Sequence, residues 1–306
     1  MPPHIPAWLT IHPEVSRALE HHLPVVALES TVITHGLPRP QNLELARSME
    51  AEIRTAGAIP ATAAVLRGEA RLGLSPEELE ALSRDDHAVK VSRRDFGAVC
   101  ARGLSGGTTV AGTMILAHAA GVPVFATGGV GGIHRGDGFD VSADLPELGN
   151  TPVAVVCAGI KSILDLPRTL ERLETDGVPV IGWKTNQFPA FFSRDSGLQL
   201  EIRVDDAVDA AEVLRTQWEL GLKAGALICV PCPPEDALPM DFVETAILQT
   251  EEEAERQHVR GKALTPFLLA QLAELTDGAT LRANLSLLRN NARVAAEIAC
   301  ALAANR

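Results

Sequence analysis

Residues 124–161 read VFATGGVGGIHRGDGFDVSADLPELGNTPVAVVCAGIK. The first three residues are apolar enough for a buried strand. A loop dense in glycine follows, with Gly128, Gly129, Gly131, Gly132, Gly136 and Gly138. His134, Arg135, Asp137, Asp140, Ser142 and Asp144 lie among or just after these glycines. A second apolar run, residues 153–158, ends at Gly159-Ile160-Lys161. Two strands therefore deliver polar groups at their C-terminal ends, where open α/β sheets bind ligands. Glycine lets backbone N–H groups approach an anion without interference from a Cβ, and successive N–H groups form anion-binding nests. His134 beside Arg135 suits a phosphate. The loop is not a dinucleotide fingerprint, since the third glycine is missing at the required offset, and no Gly-Lys-Ser/Thr follows to make a P-loop. A plain set of tight turns is the simpler reading of the glycines.

Working outward, apolar runs that read as strands alternate with helical patterns. Strands are expected over residues 25–28, 58–66, 89–92, 178–183, 200–204 and 226–230, with a hairpin or an edge pair at Gly68 and residues 70–74. Helices are expected over 11–22, 40–56, 162–175, 206–223, 240–256, 264–275 and 280–304. Helix 40–56 carries Leu43, Ala46, Met49 and Ile53 on one side. Another starts at Ser75-Pro76, a cap followed by proline in the first turn. Thr34 to Pro38 reads as a polar turn and Gly103 to Gly107 as a second glycine-rich turn. Thr108-Thr109 then opens an apolar helix closed by Gly121. Residues 1–10 read as a loose, proline-rich arm. The alternation implies an α/β architecture with a largely parallel or mixed, buried central sheet between helical layers, a three-layer α/β/α arrangement. One domain over residues 1–306 is expected; a smaller lobe over residues 40–100 is the alternative partition.

The chain has 306 residues, 46% of them hydrophobic and 22% charged, which supports a sizeable core. The net charge of −12 disfavours a nucleic-acid partner, though it leaves room for a small phosphorylated ligand in a local positive pocket. Tyrosine is absent and aromatics are 4%, so a base-stacking platform is not expected. No apolar run reaches the roughly 18 residues a membrane span requires, and no signal peptide is apparent. The five cysteines, an odd count, point to reduced thiols and a cytoplasmic setting. Cys229 and Cys232 have CxxC spacing, but no second pair completes a zinc site.

Five ionisable residues sit at strand ends or just after them: Glu29, Lys90, Asp140, Asp144 and Lys161. A lysine leaving a buried strand can lose solvation, which favours the neutral amine that attacks carbonyls and forms imines. Its simpler role is a strand-end ion pair. Glu29 could serve as a general acid or hold a helix N-terminus. Asp140 and Asp144 supply hard oxygen ligands of the kind Mg²⁺ or Mn²⁺ takes, with loop hydrogen bonding as the alternative.

The stretches ALESTVITHGLPRPQN (27–42), KVSRRD (90–95), GGTTVAGTM (106–114), FATGGVGGIHRG (125–136), FDVSADL (139–145), CAGIKSILD (157–165), GKALTPFLLA (261–270) and NNARVAAEIA (290–299) resemble the pseudouridine-5′-phosphate glycosidase family. That family shares the fold of the indigoidine synthase A group. The resemblance covers residues 14–304. It implies reversible cleavage of the C–C glycosidic bond of pseudouridine 5′-phosphate to uracil and ribose 5-phosphate, through a ring-opened sugar held as a lysine imine. Matched motif by motif, it implies Glu29 as proton donor, Lys161 as nucleophile and Asp140 as ligand of a Mn²⁺ or other divalent ion. It further implies substrate contacts from Lys90, Val110, Ser142, Ala143 and Asp144, with Thr127, His134 and Asn284 as additional phosphate or substrate candidates. A homotrimer is also implied. Two other readings remain open: a different Schiff-base enzyme, such as a sugar-phosphate lyase or aldolase, and a non-catalytic nucleotide or pentose-phosphate sensor.

Overall fold

The computed structural model describes residues 5–136 and 140–304; Asp137 and Gly138 of the glycine-rich loop and the first four residues of the expected arm lie outside them. In chain order the first elements are β1 (Leu9–Ile11), α1 (Pro13–Glu20), β2 (Val25–Leu28), α2 (Gln41–Thr55), β3 (Ile59–Leu66), β4 (Glu69–Leu72), α3 (Pro76–Arg84) and β5 (Val89–Val91). Next come α4 (Phe96–Ala101), β6 (Gly106–Thr108), α5 (Val110–Ala120), β7 (Val124–Ala126), α6 (Asp144–Leu148), β8 (Ala154–Cys157), α7 (Leu166–Thr175) and β9 (Val180–Trp183). The rest are β10 (Ile202–Val204), α8 (Ala207–Glu219), β11 (Ala226–Cys229), α9 (Met240–Arg256), α10 (Leu264–Leu275) and α11 (Ala279–Ala304).

The strands form one mixed, mostly parallel sheet in the order β1-β4-β3-β2-β7-β8-β11-β9-β10, with β6 beside β3 and β5 beside β6. Among the strands of the described residues, the β3–β4 and β3–β6 pairings are antiparallel and the others parallel. Strand β3 joins the parallel strands β2, β7, β8, β11, β9 and β10 to the part of the sheet that holds β1, β4, β5 and β6. Its first half pairs with β2 and its second half with β4 and β6. Strands β2, β7, β8 and β11 are buried at every position, as a sheet covered on both faces requires. Helix α11 packs against α2 and α8 over β2, β7 and β8, while α5 packs over β2, β3 and β7 with α6 beside it. Among the described residues no helix is long and apolar enough to cross a membrane.

Several local expectations change. The arm expected over residues 1–10 ends sooner: Leu9 and Thr10 already pair in register with Ala70 and Arg71, and β1 covers the edge of the sheet. The Gly103 to Gly107 turn is partly a strand. Gly106 and Gly107 lie in β6, where a Cβ would collide with the Val89 carbonyl and with Ser30 and Thr34, so glycine is required. The polar turn at Thr34 is a single π-helical turn, Val32–Gly36. The helix expected from residue 162 begins at Leu166, where the Asp165 carboxylate accepts the Arg168 N–H (3.0 Å) and Pro167 sits in the first turn. Residues 162–165 thereby stay in the loop that carries Lys161. Helix α3 has the expected Ser75 cap, completed by Glu78 as a capping box.

Candidate active site

Strands β2, β7 and β8 lie side by side and parallel, so their C-terminal ends open on one edge. Glu29 follows β2, Thr127 and Gly128 follow β7, and Lys161 follows β8 by four residues. The two loops after β7 and β8 are laced together by backbone hydrogen bonds: Ala158 N–H to Gly128 O (2.8 Å), Val130 N–H to Gly159 O (3.0 Å) and Lys161 N–H to Val130 O (3.1 Å). That lacing fixes where the lysine leaves the sheet.

A cleft of about 290 Å³ opens over these ends. Its lining includes Glu29, Lys90, Val110, His134, Asp140, Ser142, Ala143, Asp144 and Lys161, nine of the residues singled out from sequence. A smaller cavity of about 50 Å³ adjoins it, sharing Glu29, Lys90 and Lys161 and adding Asn284, Gly128, Gly129 and Phe191. Thr127 lines neither. It is fully buried, and its hydroxyl donates to the Glu29 carboxylate. It therefore stands behind Glu29 and not at the cleft surface.

Asp144 departs from its expected pairing with Asp140. It is 5% exposed, one carboxylate oxygen accepts Ala111 N–H (3.0 Å) and the other accepts Gly131 N–H (2.9 Å). It thus ties the first turn of α5 to the glycine-rich loop. Ser142 supports it by accepting the Asp144 N–H (3.2 Å). Gly131 has no alternative here: a Cβ would stand 2.7 Å from Ser142 Cβ and 2.8 Å from Asp144 Oδ2. Asp140, by contrast, is exposed on the rim of the cleft.

The electrostatics set Glu29 apart. Burial pushes its carboxyl above the ordinary carboxylate range, against the opposing pull of Lys161 and of the Thr127 hydroxyl. Burial lowers the His134 imidazole below its usual value; Asp140 opposes this, and Lys161 and Lys90 reinforce it. Arg135, expected beside His134 as a phosphate partner, is committed elsewhere. Its guanidinium grips Glu244 of α9 with two hydrogen bonds and also donates to Ser162 O (3.0 Å). Of the pair, His134 lines the cleft and Arg135 does not.

Sequence reasoning missed several contributors. Thr31, Ser92, Arg94, Asp95, Thr109 and Thr265 also line the cleft. Asn291, wholly buried in α11, donates to Thr127 O (2.8 Å) and Gly128 O (3.4 Å). An asparagine within the apolar face of a helix, between Leu288 and Ala295, was the available signal. All five thiols are free and both members of the CxxC pair are buried; burial is the main cause raising their thiols, that of Cys232 to about 12.

Among the described residues no group of three His, Cys, Asp or Glu side chains could hold a metal. Of Asp140 and Asp144, the latter has both oxygens bound to backbone N–H groups, whereas Asp140 is exposed at the rim of the cleft. One carboxylate fits an ion such as Mg²⁺ or Mn²⁺ that keeps most of its water and shares the ligand's phosphate.

Comparison with known proteins points one way. The family model described as indigoidine synthase A like protein matches residues 14–301. A pseudouridine-5′-phosphate glycosidase from Caldanaerobacter subterraneus subsp. tengcongensis is 55% identical over 297 residues, covering 96% of this chain and 97% of the relative. A protein of the same name from Dinoroseobacter shibae is 50% identical, covering 98% and 99%. Among solved structures, an indigoidine synthase A-like protein from Thermotoga maritima superimposes with a TM-score of 0.89 at 39% identity over 96% of both chains. The prealnumycin C-glycosynthase AlnA, solved with ribulose 5-phosphate, does so with a TM-score of 0.90 at 37% identity over 98% of both.

Proposed function

Since the chain belongs to the indigoidine synthase A-like family, we propose that this enzyme is a pseudouridine-5′-phosphate glycosidase. It reversibly converts pseudouridine 5′-phosphate and water to uracil and ribose 5-phosphate. The observation that carries the reading is that Glu29 and Lys161 line one cleft, with burial favouring a protonated Glu29.

The bond to be cut joins C1′ to uracil C5, so there is no heteroatom leaving group to protonate. Glu29 gives its proton to the ring oxygen as the C1′–O4′ bond breaks. The neutral Lys161 amine bonds to C1′ and loses a proton. Uracil C5 then takes a proton, the electron pair of the C1′–C5 bond goes to uracil, and the nitrogen lone pair forms the C1′=N imine. Water hydrolyses the imine, releasing ribose 5-phosphate and restoring the amine. Lys90, His134 and the glycine-rich loop are proposed to hold the phosphate, with Val110, Ser142 and Ala143 positioning the sugar. Asn284 contributes a polar contact in the smaller cavity. The direct test is release of uracil from pseudouridine 5′-phosphate. The unphosphorylated nucleoside is expected to react far more slowly, because remote binding energy also serves the reacting centre. Equal use of both compounds would defeat the phosphate assignment, and no uracil from either would defeat the reading.

Asp140 would hold the divalent ion, Mn²⁺ or Mg²⁺, which when bound supplies positive charge to the phosphate. Chelator is expected to abolish turnover and Mn²⁺ to restore it, with Asp140→Asn needing more metal for half-maximal rate. Full turnover in metal-free protein would remove the ion from the scheme. The homotrimer and the cytoplasmic setting belong to the same proposal.

A further inference from the structure

Phe191 has a backbone conformation that bulky residues avoid. Its φ is +62°, in the left-handed region where a Cβ crowds its own carbonyl. Glycine would relieve that crowding, yet the position holds one of the largest apolar side chains. A strained position that keeps a bulky side chain points to a use for that side chain. The surroundings hold the strain in place. Phe191 N–H donates to Ala158 O (3.1 Å), three residues before Lys161, and Ala190 and Ser193 exchange backbone hydrogen bonds of 2.9 and 3.3 Å around it.

The ring lies directly over Gly129, where a Cβ would stand 2.6 Å from Phe191 Cδ2. Phe191 is 2% exposed and lines the smaller cavity that also touches Glu29 and Lys161. Leu288, Leu269, Pro266 and Val32 supply its other apolar walls, and Asn284, Thr31, His35 and Thr265 add polar groups. A narrow slot with apolar walls and a few convergent polar groups, opening on the proposed nucleophile, has the chemistry for a flat heterocycle and little room for a larger one. Behind the Phe191 ring stands a glycine, so shortening the ring enlarges the slot directly.

We propose that Phe191 sets the size of the ring whose carbon is bonded to the sugar: a single six-membered heterocycle in this chain, a fused ring when Phe191 is truncated. The inference rests on the glycosidase reading above. In the synthetic direction the attacking ring carbon adds to the C1′ imine and loses its ring proton. The O4′ hydroxyl then closes on C1′, releasing Lys161. The net change is loss of one water, with no oxidant or reductant required.

The experiment follows condensation with ribose 5-phosphate, using uracil and, separately, a fused bicyclic 1,3-dihydroxyarene as the carbon nucleophile. Phe191→Gly is expected to raise the KM for uracil at least tenfold. It should leave the KM for ribose 5-phosphate within about twofold and gain turnover of the bicyclic compound that the unmodified enzyme lacks. Phe192, buried beside Phe191 with ring centroids 4.7 Å apart but outside the cavity lining, supplies the control. Phe192→Leu should lower thermal stability without separating the two KM values. If Phe191→Gly does not fold, the same pair of KM values is read on Phe191→Leu, with that for uracil rising at least threefold. An unchanged uracil KM, or both KM values rising together, overturns the inference while normal turnover by the unmodified enzyme leaves the parent reading standing. An unmodified enzyme inert toward uracil sinks both.

Discussion

Lys161→Ala is expected to bind pseudouridine 5′-phosphate and to lose nearly all turnover, a fall in kcat on the order of 10⁴-fold or more, because the proposed covalent route has no substitute nucleophile. The lysine sits where its backbone is fixed. Its N–H is bonded to Val130 O, and the preceding residue, Ile160, bridges to Val130 across the two loops. The substitution therefore removes an amine without loosening the cleft. Lys161→Arg should do no better, since a guanidinium stays charged and cannot attack C1′. Borohydride added during exposure to ribose 5-phosphate should leave a stable adduct on the peptide that contains Lys161. Substantial turnover in Lys161→Ala, together with no adduct on that peptide, would reduce the lysine to a substrate contact.

The two proposed reacting groups were legible in the sequence because each stands at or just beyond the end of an apolar run. The run 25–28 stops at Glu29, and the run 153–158 is followed at once by Gly159, Ile160 and Lys161. A parallel sheet brings such ends to one edge, so the α/β alternation already implied their proximity. What was not legible depends on contacts between distant parts of the chain. Nothing local says that the Thr127 hydroxyl turns to Glu29, 98 residues away, or that Arg135 turns outward to Glu244, 109 residues on. Asp144 looked equivalent to Asp140 because spacing in a loop carries no record of which carboxylate meets backbone N–H groups. The short strands β1 and β6 escaped for a different reason. Strand β1 begins inside a stretch whose prolines read as an arm, and the glycines of β6 mimic a turn while serving close packing.

Glu29→Gln isolates the proton from the shape. The amide keeps an oxygen to accept the Thr127 hydroxyl, so the side chain stays in place while the transferable proton is lost. A general acid contributes about 10²- to 10⁴-fold, and kcat is expected to fall within that range with KM changed far less. The pH profile supplies an independent reading. Glu29 must be protonated to donate, so activity declines as pH rises through its folded-state pKa. Burial places that pKa above the ordinary carboxylate value, which carries the active form to higher pH. The Thr127 hydroxyl pulls the other way by stabilising the charged carboxylate. Thr127→Val removes that bond with little change of volume, so the Glu29 pKa should rise further and the alkaline limb should move to higher pH. In Glu29→Gln the same limb should vanish from the residual activity. A Thr127→Val limb displaced to lower pH, or a Glu29→Gln enzyme at the unmodified rate, would take the proton donor's role away from Glu29.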